Sequence, residues 1–153
     1  MGSRRIRPTD AEETPVEDEE IQEIREAVLA LELLAEEALA EKGLLDRDID
    51  SLSEEEREQL SEPEVSALVW RGHVRLFPEW EAFREGGEFR GMSPRAHLAA
   101  HCLVEAMLKG PESPYRVHLA ELMGRGESRH QAVHELGRIS LEALWEIGHG
   151  TVH

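Results

Sequence analysis

Apolar residues recur at three- and four-residue steps along most of the chain, and the first such stretch is the longest. Ile21, Ile24, Val28, Leu31, Ala35 and Ala38 fall in one stripe at helical spacing. Thr14, Pro15 and Glu17 resemble a capping box with proline at the first helical position, and Gly43 supplies a stop, so residues 15–43 predict one long amphipathic helix. Leu29, Leu33, Leu34 and Leu39 widen the stripe enough for more than one neighbour. Burial in the molecule's own core is the preferred expectation. A homodimer or protein-partner contact through this helix is the alternative.

The same signals repeat downstream. "SLSEEEREQL" is a short capped segment, and Ser61 to Pro63 open "EVSALVWRGHVRLF", in which Gly72 predicts a break or bend. Pro78 opens and Gly86 and Gly87 close another short helix in "FPEWEAFREGG". Two longer helices are expected from Pro94 to Lys109 and from Ser128 to Ile147, with a short one between them around "RVHLAELM". No segment alternates apolar and polar residues with β-branched enrichment, and no repeat of fixed period occurs, so no sheet or solenoid is expected. The fold class is all-α, a compact bundle of about five or six helices with two histidine-bearing helices at its C-terminal end. Residues 1–14 read as a disordered acidic tail, 15–148 as one helical domain and 149–153 as a frayed end.

Composition narrows the function classes. A chain of 153 residues that is 40% hydrophobic supports one domain with a real core. A net charge of −16, from 33 acidic and 17 basic side chains, lacks the basic footprint that nucleic acids and anionic membranes require. The acid in "DAEETPVEDEE" reads as solvated charge at a helix start. With no apolar run near the roughly eighteen residues of a spanning helix and no signal peptide, a soluble cytoplasmic protein is expected. The single cysteine, Cys102, excludes an internal disulfide framework and a cysteine-rich zinc module, and reads as a small buried hydrophobe rather than a reactive thiol.

The chemistry concentrates in two stretches. In "RAHLAAHCLVEAML", His97, His101, Glu105 and Lys109 share one stripe of an otherwise apolar helix, so the stripe faces either solvent or an internal site. In "SRHQAVHELG" and beyond, Gln131, Glu135, Arg138, Glu142 and Glu146 form a solvent face, and Val133, Leu136, Leu141, Leu144 and Ile147 a core face. His130 and His134 fall within the core arc, beside Leu141 and Trp145. A buried imidazole without a partner costs about 1–3 kcal/mol, and a helix consumes its own carbonyls, so a divalent transition metal is the economical partner for histidines four residues apart. Glu105 is a further ligand or an acceptor that orients an imidazole. One His-x-x-x-His pair is a weak signal; two pairs on adjacent helices tip the balance towards a metal.

The remaining candidates read as structural. His73 and His118 are single histidines, and His149 and His153 belong to the terminal segment. No serine sits in a nucleophile elbow, and "GRGES" lacks the lysine and strand of a phosphate loop. Trp70, Trp80, Trp145, Phe77 and Phe83 are expected core aromatics.

"SPRAHLAAHCLVEAML", "RHQAVHELG" and "LEALWE" together resemble a family of small bacterial proteins catalogued as a domain of unknown function. Its pattern is Asn-Pro-x-x-His-x-x-x-His-x-x-x-Glu-Glu-Gln, then His-x-x-x-His-Glu and Leu-Trp-Glu. The resemblance spans about residues 65–147 and implies an all-helical fold with shared histidine positions. The family also carries His-Pro-Glu-Tyr-His upstream, which "FPEWE" resembles with Phe77 and Glu81 in place of the two histidines; this implies Glu79 as a further metal ligand. Ala106, Met107 and Arg138 replace polar or acidic family positions, so one ion is expected rather than a carboxylate-bridged pair. The combined reading is a helical protein that binds one zinc, iron, manganese or nickel ion through His97, His101, His130 and His134, with Glu105 and Glu79 in support. An open position on the ion would suit metal-dependent hydrolysis, with Glu105 or Glu79 as base. The alternative is a non-enzymatic acidic interaction module with structural histidines.

Overall fold

Hydroxyl caps fix where most of the helices begin. The side chains of Ser53 and Ser61 accept from the backbone N–H groups of Glu56 and Glu64, whose carboxylates reach back to the capping residues, and Ser93 and Ser113 cap the two helices that open with Pro94 and Pro114. The computed structural model describes residues 15–148, without the side chains of residues 15–17 and 145. The tail at 1–14, the terminal segment at 149–153, the Thr14 cap and the Trp145 side chain lie outside the described residues. Six α-helices are present among these residues: α1 Pro15–Glu41, α2 Glu54–Glu58, α3 Glu62–Leu76, α4 Pro94–Met107, α5 Pro114–Gly124 and α6 Arg129–Gly148. Short 3-10 turns cover Ile49–Ser51 and Pro78–Phe83. The described residues contain one isolated β-bridge, Phe89 to Met92, and no strand. None of their helices is long and apolar enough to cross a membrane.

The layers follow from which faces are apolar. α3 packs between α1 and α4, α4 also packs on α6, and α6 carries α5 on its outer side. Leu39, Leu52, Leu60, Leu68, Trp70, Trp80 and Leu98 form one core, while Val104, Leu108, Val133 and Leu136 form a second. α4 therefore contributes to both cores and leaves its histidine stripe between them.

Two expected core faces are corrected. Along α1, Ile21, Ile24, Val28, Leu31, Leu33 and Leu34 are all exposed, with Leu34 at 61%, and the buried residues are Glu32, Ala35 and Leu39. The choice of face follows charge: Arg95 donates to Glu32 at 2.9 Å, and Arg84 donates to Glu36 at 2.8 Å while lying 3.5 Å from Glu32. Two half-buried guanidiniums need carboxylates, so α1 turns its Glu32–Glu36 edge inward. Along α6, Val133 and Leu136 are buried as the periodicity predicts, but Leu141, Leu144 and Ile147 are exposed. Gly72 does not break the helix; α3 runs through it to Leu76.

Trp70 and Trp80 are core aromatics as expected, whereas Phe77 is exposed. Burial pushes the free thiol of Cys102 up to about 11, which leaves it protonated and poorly nucleophilic at neutral pH.

Candidate metal centre

Three helices bring imidazoles to one point. The α4 stripe turns inward, placing half-buried His97 and fully buried His101 against α3 and α6. α6 supplies His134, and α3 supplies His73, which is 2% exposed. The Nε2 atoms of His73, His97 and His134 form a triangle with edges of 3.1, 3.3 and 3.3 Å. His101 offers a fourth ring nitrogen, and His73, His97, His101 and His134 all lie close enough to hold one metal ion, with ligand atoms within 4.8 Å of one another.

The triangle is informative because protons alone cannot satisfy it. His73 Nδ1 lies 2.8 Å from the Val69 carbonyl and so must donate to it, which leaves Nε2 as a bare lone pair. If Nε2 of both His97 and His134 carry protons, the edge between them sets hydrogen against hydrogen; if either is bare, its edge with His73 sets lone pair against lone pair. Every neutral tautomer leaves at least one edge repulsive. A cation removes the conflict by accepting all three lone pairs. The spacing suits it, because a tetrahedral ion with nitrogen ligands at about 2.0–2.1 Å holds them about 3.3–3.4 Å apart. His101 adds a second deficit: both its ring nitrogens are buried without a hydrogen-bond partner.

The protonation states agree with this reading. Burial, reinforced by neighbouring imidazoles, holds His97 and His134 at about 4 and His101 lower still, and burial also lowers His73. All four are neutral at pH 7, the form that binds metal. A consequence for stability follows. The unfolded chain takes up these protons near pH 6.5 and the folded protein resists them, so stability is lost as pH falls through that value. His130 opposes the trend: its hydrogen bond to Asp50 raises its value, adding stability below pH 6.5 that is lost as pH rises through the folded value. Four lowered groups outweigh one raised group. After discounting for solvent around the half-buried rings, the metal-free protein loses on the order of 2 kcal/mol, or roughly 5 °C of melting temperature, between pH 6.5 and pH 5. Scanning calorimetry in chelator across this window checks the sign; a flat or rising melting temperature would contradict a neutral cluster.

The other expected ligands are placed differently. His130 Nδ1 is 3.1 Å from Asp50 Oδ2 and its ring stands beside His134, with centroids 4.1 Å apart, so it borders the cluster with its donor nitrogen already engaged. Glu105 is 4% exposed but is held in two hydrogen bonds from Arg129, at 2.8 and 2.9 Å, and its nearest oxygen stays 3.8 Å from His101 Nε2. Arg129 also donates to Asp50 at 2.6 Å. Burial would raise Asp50, but its hydrogen bonds from His130 and Arg129 outweigh that and hold it well below the usual carboxylate range. Glu79 is exposed on the Pro78–Phe83 turn, and Glu81 faces Arg84. The residue of "FPEWE" that reaches the centre is Trp80, stacked on His73 at 5.1 Å and edge-on to His97 at 5.4 Å.

His73, Asp50 and Arg129 are the residues that sequence reasoning passed over. A signal for His73 was present, since Val65, Val69 and His73 recur at four-residue steps along the most apolar face of α3. For Asp50, in the loop segment "DRDID", the sequence carries no such signal.

Two clefts flank the cluster. One, of about 260 Å³, is lined by Asp48, Asp50, Gly72, His73, Arg75 and His130 among others; the second, of about 360 Å³, lies between α4 and α6 against His97, His101 and His134. No protein-family model, no curated protein and no solved structure matches the chain.

Proposed function

We propose that this protein binds one divalent transition-metal ion, with His73, His97 and His134 as the tight facial set and His101 as the fourth donor. The observation that carries the reading is the triangle of Nε2 atoms at 3.1–3.3 Å, whose edges no arrangement of protons satisfies. Imidazole donors suit zinc, iron, nickel or copper better than magnesium or calcium, and the absence of thiolate from the set disfavours copper(I). Trp80 on one side and the Val69 carbonyl on the other hold the His73 ring in one orientation, as outer-shell partners do at metal centres.

Metal-dependent hydrolysis through either carboxylate suggested by the sequence gains no support, because Glu105 is committed to Arg129 and Glu79 is exposed on the Pro78–Phe83 turn. The reading is therefore of a metal-binding protein whose ion is reached from two chemically different clefts.

The test is elemental analysis of untagged protein purified without added metal, followed by zinc and nickel titration of the chelator-treated protein. About one ion per chain, recovered on titration and accompanied by a raised melting temperature, is the expected result. Protein that arrives without metal and then binds neither ion would remove the proposal.

A further inference from the structure

The cleft between α4 and α6 is walled mainly by small and apolar side chains. Ala96 and Ala100 on α4 and Val133, Gly137 and Leu141 on α6 leave a gap of about 360 Å³, at the small end of the range for ligand sites. The side chains on its walls are small at Ala96, Ala100 and Gly137. Three of the four clustered histidines, His97, His101 and His134, line the cleft. Among the described residues no carboxylate lines it, and the guanidinium of Arg138, the one Arg or Lys among its described lining residues, is already paired with Glu135 and Glu142 at 2.5 and 2.7 Å. The opposite cleft, with Asp48, Asp50 and Arg75, is polar and carries charge.

We propose that the α4–α6 cleft is the ligand chamber of the histidine centre, taking a small uncharged molecule that is apolar over most of its surface and presents one nitrogen or sulfur donor to the ion. This rests on the metal reading above and extends it to the class of ligand. An anion is drawn by the ion but enters against the net charge of −16, and beyond the ion finds no unpaired cation among the described lining residues; a cation finds no carboxylate among them and is repelled by the ion's own charge. An apolar body gains by displacing water from the alanine, valine and leucine walls, and its donor atom supplies the directional contact. The ligand's donor atom would join the four histidines as a fifth ligand, an expansion of the shell that such ions accept.

The test loads the full chain with cobalt(II) and follows the visible bands of the ion while imidazole, 4-phenylimidazole and imidazole-4-acetate are added in turn. Reading the ion's own spectrum matters, because a separate cavity of about 400 Å³ beside Cys102 could hold an apolar probe without touching the centre. The expected result is a spectral shift with 4-phenylimidazole at an apparent Kd about tenfold or more below that of imidazole, with imidazole-4-acetate weakest. Ala100→Phe, which fills the cleft, is expected to abolish the preference while cobalt affinity stays within about twofold. Ala96→Phe, at an exposed position on the cleft wall, gives the same readout with little risk to folding.

Equal affinity for imidazole and 4-phenylimidazole in the wild type, or a preference that survives both phenylalanine variants, would overturn the chamber and leave the metal centre standing. Failure of the wild type to bind cobalt, zinc and nickel would instead remove the metal reading, and the chamber with it.

Discussion

His73→Ala is expected to weaken zinc or nickel binding by about 100-fold or more, the largest single effect at the centre. Outer-shell substitutions at metal sites cost about 10–100-fold, and His73 supplies a donor nitrogen directly, so its loss sets a higher floor. Its Nε2 is also the one whose lone pair the structure fixes, through the Nδ1 hydrogen bond to Val69. The metal-induced rise in melting temperature disappears with affinity, because each 100-fold loss removes about 2.7 kcal/mol of linked stabilisation. The metal-free variant, by contrast, melts close to the wild type: without the His73 ring, His97 and His134 are free to pair as one donor and one acceptor, which ends the proton conflict and offsets part of the lost stacking on Trp80. His118→Ala on α5, where the side chain is 64% exposed and faces Glu121, is the control and leaves affinity unchanged. Isothermal titration of both variants decides the matter, and wild-type affinity in His73→Ala would show that the triangle is not the site.

Arg129→Met is expected to destabilise the fold by about 3–5 kcal/mol, the cost of breaking a buried ion pair from one side. The side chain of Arg129 bridges Glu105, with two hydrogen bonds, and Asp50, whose side chains are 4% and 12% exposed. Methionine fills similar volume but leaves buried Glu105 without its charged partner and Asp50 with His130 alone. Urea denaturation measures the loss, and pH assigns its cause. Unpaired buried carboxylates have raised pKa values, so the folded variant gains protons that the unfolded chain binds more weakly, and its deficit shrinks as pH falls from 7 towards 5. Adding Glu105→Gln is expected to recover part of the loss at pH 7. A deficit that is independent of pH and unrelieved by Glu105→Gln would mean that Arg129 acts by packing.

The structure connects this network to the centre. Asp50 receives both Arg129 and His130, so the side chain that neutralises Glu105 also helps fix the carboxylate that holds His130 beside His134. The stripe of α4 illustrates how one pattern divides into different roles: His97 and His101 join the cluster, Glu105 takes Arg129, and Lys109 leaves the face to donate to the Leu60 carbonyl at 2.7 Å.

Much of the architecture was legible in the residues because it is local physics. A serine three residues before a glutamate makes a cap wherever it stands, and proline at the first turn and glycine past the last limit a helix without reference to the rest of the chain. The boundaries of α3, α4 and α6 therefore lie close to those the pattern predicts, and His97, His101 and His134 were identified from spacing along two helices. Periodicity also placed Val133 and Leu136 in the core. What spacing cannot state is which of several apolar faces meets a partner. The α1 stripe lies outward because Arg84 and Arg95, some fifty to sixty residues away in sequence, require Glu32 and Glu36. Likewise, an isolated histidine on α3 and an aspartate in a loop acquire their roles only when packing brings α3, α4 and α6 within a few ångströms of each other. The sequence determined the helices and most of the histidine set, since these follow from short-range geometry; tertiary structure alone decided that His73 belongs to the cluster and that Asp50 and Arg129 claim His130 and Glu105, because those pairings depend on distances between helices that no local pattern encodes.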